Sequence, residues 1–209
     1  MKTWGLAFLQ ASVFLSSLPM LGAGVALAAD APADACIPDR AALLALDGQA
    51  FDQDLNGGWR HIAYKPGCMT AAADLLRDYR AAHPQEPARI LYWHEGQLRA
   101  MTGDTAAALP LLDQSRDPRA TSRAQAWNAY VDATMAFLRR DQRSLLAARD
   151  RLSHVPPPPP EPDARGTSMK VVKWPMNMGI VNSLVACFTK PYADAYDGTC
   201  DKPRAPPHP

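Results

Sequence analysis

The chain has 209 residues, 47% of them hydrophobic, which is enough for one domain with a sizeable core. Its 22 Lys and Arg residues nearly balance its 21 Asp and Glu residues, so the net charge is +1. Proteins that bind nucleic acid or anionic membranes usually carry a basic excess, and the charge balance therefore favours neither class.

Residues 1–28 have the pattern of a secretory signal peptide. Lys2 gives a positive start, an apolar run covers 6–21, and small residues at 26 and 28 predict cleavage before Ala29. An uncleaved membrane anchor is the alternative, but Pro19 and Gly22 interrupt the apolar stretch. We therefore expect a periplasmic or secreted protein that has no membrane attachment after cleavage.

Helical spacing of apolar residues follows the signal peptide and predicts an all-α protein. Asp39 is expected to cap a helix over 39–54, and an irregular connection is expected over 57–68. Further helices are predicted over 70–83, over 87–102, after Asp104 or Thr105, over 121–139, over 141–153, over 177–188 and, as a short turn, over 191–197.

Composition divides the chain into segments with different roles. Residues 29–154 are the predicted helical domain, and five prolines after Val155 begin a Pro-rich linker over 155–175. Residues 176–201 are predicted to form a C-terminal helix and disulfide loop that pack on the domain. Residues 202–209 are predicted to be a disordered tail.

Four cysteines follow the signal peptide, and an even number in an exported chain predicts two disulfides. Three pairings are possible, and we expect the one that closes the shortest loops, Cys36–Cys68 and Cys187–Cys200. A zinc site is the alternative, but the sequence has neither a Cys-x-x-Cys pair nor a His at ligand spacing from a Cys.

Residues 89–118 carry aromatic, small and turn residues at the spacing of a helical hairpin. These residues are Tyr92, Gly96, Gly103, Ala108, Leu112 and Pro118. With them, the segment resembles one tetratricopeptide (TPR) repeat, although Glu95 and Arg99 depart from that pattern. Residues 124–154 and 39–83 resemble degenerate copies. The resemblance implies an array of antiparallel helical hairpins with a concave face that binds a protein or peptide, and a helical domain without a groove is the alternative.

Six residues are candidates for lining such a groove or a loop site beside it. They are Trp59, His61, Trp93, Gln97, Trp127 and Tyr130. Aromatic residues at helical spacing are also typical of a core, so burial is the alternative for the tryptophans on the helices. The function expected from the resemblance is a binding or scaffold module for a protein or peptide partner, without nucleic acid and without a cofactor.

An exported enzyme is the alternative function, although the chain has no nucleophile elbow, P-loop or dinucleotide-binding fingerprint. Its site would use His61, which lies in the irregular connection, with Asp52 or Asp54 nearby. Asp52, Asp54 and Asn56 also match the first half of a calcium loop, which would make a calcium-stabilised structural protein. However, Ala63 stands where such a loop needs a bidentate Glu, so no metal is predicted.

Overall fold

The computed structural model describes residues 33–85, 89–159, 173–198 and 200, and over these residues the secondary structure is helical. The helices are α1 (Ala33–Cys36), α2 (Arg40–Leu44), a π-helix (Gln49–Gln53), α3 (Gly58–Ala63), α4 (Met69–Ala82), α5 (Arg89–Met101), α6 (Thr105–Gln114), α7 (Ser122–Leu138), α8 (Gln142–Ser153), α9 (Met178–Ala186) and α10 (Tyr192–Tyr196). Within those ranges, no helix has the length and apolar character needed to span a bilayer. The predicted signal peptide, much of the predicted linker and the tail lie outside the described residues.

The predicted all-α class is confirmed, and α4, α5, α7 and α8 begin and end within two residues of their predicted bounds. Side-chain caps fix several starts, because the first N–H groups of a helix have no partner within it. Asp104 accepts from the Ala107 amide at 3.0 Å, and Thr121 accepts from the Ala124 amide at 3.2 Å.

The prediction of one helix over 39–54 is wrong, because the segment breaks after Leu44. Asp39 does cap α2, with the Ala42 amide 3.0 Å from its carboxylate. Helix α4 then supplies partners for the carbonyls at the break: the Tyr79 hydroxyl donates to Leu46 at 2.9 Å, and His83 Nε2 lies 2.8 Å from the Leu44 oxygen. These tertiary bonds replace the helical bonds that the break removes.

The prediction of an irregular connection over 57–68 is also wrong, because α3 lies within it. Trp59, Ile62 and Ala63 are buried at i, i+3 and i+4, which is one face of a short helix. Gly58 begins that helix with φ +53°, and a Cβ there would lie 2.0 Å from the Phe51 carbonyl oxygen. A glycine therefore allows α3 to start directly against the π-helix.

The core has two clusters, and α5 contributes to both. Leu91 and Leu98 of α5 join the cluster built around the π-helix, α3 and α4. Trp93 and Ala100 of the same helix join the cluster built from α6 to α10. Because α5 contributes buried apolar side chains to both clusters, it joins the two halves of the fold.

Helices α5 and α6 pack closely and are joined by residues 102–104. A Cβ on Gly96 would lie 3.0 Å from Leu112 Cγ and 3.2 Å from Leu111 Cβ, so the glycine allows the two helices to approach. Helices α7 and α8 form a second contacting pair, and α9 packs on both of them. Helix α10 contacts α9 and α5.

The predicted pairing of the cysteines is confirmed: Cys36 bonds Cys68 and Cys187 bonds Cys200, each with Cα atoms 5.5 Å apart. The first bridge ties α1 to the start of α4, and the second closes the loop that contains α10. Two disulfides indicate an oxidising, extracellular environment, because reducing compartments keep thiols free.

Candidate functional site

A cleft of about 490 Å³ opens where α5 meets α3, the start of α4 and α10. Its polar lining consists of Arg60, His94, Gln97 and Asp197, and its other lining residues are Trp59, Ala63, Tyr64, Met69, Leu98, Met101, Ala193 and Tyr196. The volume falls within the range of about 300–1,000 Å³ that is typical of ligand pockets, as does the combination of apolar walls with a few polar groups. The second disulfide closes the loop that supplies one wall.

Beside this cleft, a buried carboxylate holds a histidine in place. Asp52, at the π-helix, is only 3% exposed, and its Oδ1 lies 2.7 Å from His94 Nδ1 on α5. The indole N–H of Trp59 donates to the same oxygen at 2.8 Å. The Gln53 amide donates to the other carboxylate oxygen. Asp52 therefore joins three segments of the fold at one point.

The ionisation of Asp52 determines which nitrogen of His94 carries hydrogen. Burial alone would raise the pKa of Asp52, but the hydrogen bonds from His94 and Trp59 and the charge of Arg60 outweigh it and hold the pKa below its usual value. An ionised carboxylate only accepts hydrogen bonds, so the N–H of the imidazole must lie on Nδ1. Nε2 is then the ring nitrogen that Asp52 does not bind, and His94 lines the cleft.

Arg60 brings a positive charge to the same region. Its guanidinium donates to the backbone carbonyl of Asp52 and lies 4.3 Å over the centre of the Trp59 ring. Both interactions restrict the arginine, whose side chain is only 13% exposed. The cleft therefore holds a fixed cation close to His94.

Gln97 lies one helical turn after His94 and is 9% exposed. Its Nε2 has no hydrogen-bond partner among the described residues. Behind it, burial raises the pKa of Tyr192, and the proximity of Gln97 and Thr134 partly offsets that rise. Because its Nε2 is buried and set against Tyr192, Gln97 forms part of the cleft wall and does not offer this amide to a ligand.

A buried ion-pair network fixes α5 against α4 on the other side of His94. Glu95 is 3% exposed and accepts from Arg80 of α4. It also lies 3.4 Å from Arg99, whose guanidinium bonds Asp74 at 2.6 Å. The two departures from the TPR pattern, Glu95 and Arg99, are thus members of one network.

The six groove candidates from the sequence lie in different places. Trp59 and Gln97 line the cleft, whereas the exposed His61 does not. Trp93 and Tyr130 lie in the core, with ring centres 4.7 Å apart, and neither presents a surface to a partner. Trp127 is half-buried at a smaller cavity of about 250 Å³.

The candidate calcium ligands do not face one direction. Asp52 is buried against Trp59 and His94, whereas Asp54 and Asn56 are exposed. Asp54 accepts from the Asn56 amide at 2.9 Å and so closes the turn itself. In the part of the chain that the structure describes, no group of three or more His, Cys, Asp or Glu side chains is placed to hold a metal ion.

Sequence reasoning overlooked His94, because no other histidine lies at helical spacing from it. Its partner Asp52 is 42 residues away, a separation that carries no sequence signal. A usable signal does exist on α5 itself. His94, Gln97, Leu98 and Met101 share one helical face, which marks them as neighbours in any helical fold.

The stability of the protein should depend measurably on pH because of Asp117, which lies beside the smaller cavity. The hydrogen bond from Arg119 lowers its pKa to about 2, although burial opposes this. The pKa of Asp117 in the folded protein lies below its value of about 3.9 in the unfolded chain, so the ionised carboxylate stabilises the fold. This stabilisation is present above pH 4 and is lost as the pH falls to about 2. Arg119 is 65% exposed, so we expect only about 1 kcal/mol. Urea unfolding should show the difference between wild type and Asp117→Asn shrinking over that interval; a constant difference would contradict the assignment.

The described residues thus contain one cleft that combines a positioned histidine and a cation with apolar walls. The disulfide-linked α10 loop forms part of its wall. Comparisons of the chain with known protein families, with curated proteins and with solved structures find no match.

Proposed function

We propose that the protein is an exported binding module, built from antiparallel TPR-like helical hairpins, that holds a segment of a protein or peptide in this cleft. The observation that carries the proposal is the open cleft itself, of about 490 Å³, at which Tyr64 is 75% exposed beside apolar walls.

The apolar lining supports a peptide or protein ligand. Met69 and Met101 line the cleft from different helices, and methionine adapts to ligands of varied shape. Tyr64, at the cleft, is 75% exposed and is one of the few large hydrophobic side chains on the described surface. Tyrosines of this kind are enriched at the energetic centres of protein interfaces.

The hairpin geometry supports the TPR-like part of the proposal. A Cβ on Gly96 would lie 3.0 Å from Leu112 Cγ, so the glycine allows the close approach of α5 and α6 that the resemblance to a TPR repeat implies. In each of the pairs α5–α6 and α7–α8, a short turn joins two helices that contact each other. Export is supported by the signal-like N-terminus and the two disulfides.

The test begins with capture of partners from the exported fraction on the immobilised, disulfide-intact protein, followed by mass spectrometry. The affinity of a captured partner, or of its binding peptide, is then measured by calorimetry for wild type and for Tyr64→Ala. We expect Tyr64→Ala to weaken binding about tenfold or more, because it removes an exposed aromatic contact at the cleft.

Leu146→Ala is the matched control, because Leu146 is also a large exposed hydrophobic side chain, 45% exposed on α8, and does not line the cleft. We expect this variant to bind like wild type. A partner whose affinity is unchanged by Tyr64→Ala, or equally reduced by Leu146→Ala, would contradict binding in the cleft.

A further inference from the structure

We propose that the protein's own tail, residues 202–209, occupies the cleft and competes with the partner for it. The proposal rests on the proposed function in one respect, because it takes the same cleft as the binding site. It commits to the tail of the same molecule as the occupant. It can therefore be tested without any partner.

The first ground is the place where the tail leaves the fold. Asp197, the C-cap of α10, lines the cleft, and Cys200 follows it by three residues. Three extended residues span at most about 11 Å, so Cys200 lies within that distance of the cleft wall. The bond to Cys187 anchors Cys200 on the fold. The tail therefore begins close to the cleft.

The length of the tail is sufficient to fill the cleft. After Cys200 and one further residue, eight residues remain in 202–209. At about 3.1 Å per residue of a polyproline II segment, they reach roughly 25 Å. A cleft of about 490 Å³ is much shorter than this reach. The tail can therefore cross it without any change in the described fold.

The second ground is the composition of the tail, in which 203, 206, 207 and 209 are prolines. Proline fixes φ and favours the extended polyproline II form, so such a segment loses little entropy when it is bound. Grooves lined by aromatic side chains bind segments of this kind. The cleft offers two such side chains, Tyr64, which is 75% exposed, and the half-buried Tyr196.

The third ground is charge. Among the described residues that line the cleft, Asp197 is the one acid, and its exposed carboxylate has no hydrogen bond or ion pair with another described residue. The cleft's arginine, Arg60, already lies 3.8 Å from the buried carboxylate beside it. The tail carries two cations, Lys202 and Arg204, and no acid. It therefore supplies the opposite charge that Asp197 lacks.

Docking within one molecule needs only a weak contact. A short linker gives the tail an effective concentration on the order of 1 mM at the cleft. A tail peptide that binds with a Kd of about 0.1 mM when it is a separate molecule would then fill the cleft for about 90% of the time. The apparent Kd of a partner for the wild-type protein would rise about tenfold. The tail thus excludes weak ligands, whereas a strong partner displaces it.

The test uses the full chain with both disulfides intact and with ¹³C-methyl-labelled methionine. Met69 and Met101 line the cleft, so the NMR signals of their methyl groups report its occupant. Met135 is buried in α7 and does not line the cleft, so its signal reports whether the fold is preserved.

The tail variant combines Lys202→Glu, Arg204→Glu, Pro206→Gly and Pro207→Gly, which remove its cations and its central prolines. We expect both cleft methyl signals to move relative to wild type and the Met135 signal to stay. Lys190→Glu is the matched control, because Lys190 is exposed and its amide donates to Cys187 at 2.9 Å, yet it does not line the cleft. This control should leave the cleft signals unchanged.

A synthetic peptide of residues 202–209 provides the second measurement. Added to the tail variant, it should return both cleft signals to their wild-type positions, with a Kd of about 0.1–1 mM, the range in which the tail fills half of the clefts or more. Adding Tyr64→Ala to the tail variant should weaken this binding, because it removes the exposed aromatic contact.

Three results would overturn the proposal. The first is a pair of cleft signals that is identical in wild type and the tail variant. The second is a peptide that moves neither signal at millimolar concentration. The third is a wild-type signal that shifts with protein concentration, because the tail of a second copy would then be the occupant. None of these bears on the binding module, which is judged by the affinity of a captured partner for Tyr64→Ala.

Discussion

Replacing Glu95 with alanine is expected to lower the free energy of unfolding by about 3–5 kcal/mol. The carboxylate is 3% exposed and pairs with Arg80, whose side chain is only 12% exposed. Its removal leaves a buried guanidinium without its counter-charge, and the desolvation cost of that cation is then uncompensated. Urea unfolding at neutral pH with both disulfides intact measures the loss.

The matched control is Asp113→Ala, which removes an acidic side chain that is 60% exposed and pairs with Arg116. Because solvent screens such a pair, we expect a change of less than about 1 kcal/mol. If Glu95→Ala destabilises the protein no more than this control, the network does not fix α5 against α4.

Replacing Gly96 with leucine is expected to cost about 1–3 kcal/mol or more, and replacing it with alanine should not raise stability. A Cβ at this position already lies 3.0 Å from Leu112 Cγ and 3.1 Å from its Cδ2, so even one methyl group requires Leu112 to shift. A leucine adds three further carbons to a contact that has no room for them. The midpoint of urea unfolding reports both changes.

Gly179→Ala is the control, because this glycine also lies in a helix but has nothing within 4 Å of an added Cβ. Because an added methyl group meets no clash there, helix propensity determines the change in stability, and alanine should stabilise the protein by up to about 1 kcal/mol. If Gly96→Ala and Gly96→Leu also match or exceed wild type, the close packing of α5 on α6 is not needed for stability, and the TPR-like proposal loses support.

Local patterns were sufficient to predict the longer helices. The apolar periodicity of α4, α5 and α8 depends on neighbouring residues, and Thr121 and Asp141 cap α7 and α8 from the position immediately before each helix. The disulfides were also predictable, since both bridges close local loops and each ties down a short helix.

Prediction failed where distant residues decide the local structure. The break after Leu44 depends on Tyr79 of α4 and on His83 at the C-cap of that helix, which bond the carbonyls released there. No pattern within 39–54 contains that information. In contrast, α3 was predictable in principle, because Trp59, Ile62 and Ala63 already have helical spacing in the sequence.

The cleft could be predicted only in part, because it combines three segments of the chain. Trp59 and Gln97 were recognised as candidates, but Asp52 was assigned to half of a calcium loop or to a site around His61 rather than to His94. Its alternation with Asp54 and Asn56 suggests a cation site, whereas its carboxylate is held by an indole N–H and an imidazole. The wall from α10 depends on the second disulfide and on packing against α5.

The sharpest test of the cleft as the functional site is hydrogen–deuterium exchange, measured on the free and on the partner-bound protein. We expect slower exchange on binding in residues 59–69, 94–101 and 193–197, which carry the lining side chains. We expect unchanged exchange over the exposed face of α8, in residues 142–151, which lies outside the cleft. Protection concentrated on α8, or absent from all three cleft segments, would contradict the proposal that the cleft is the functional site.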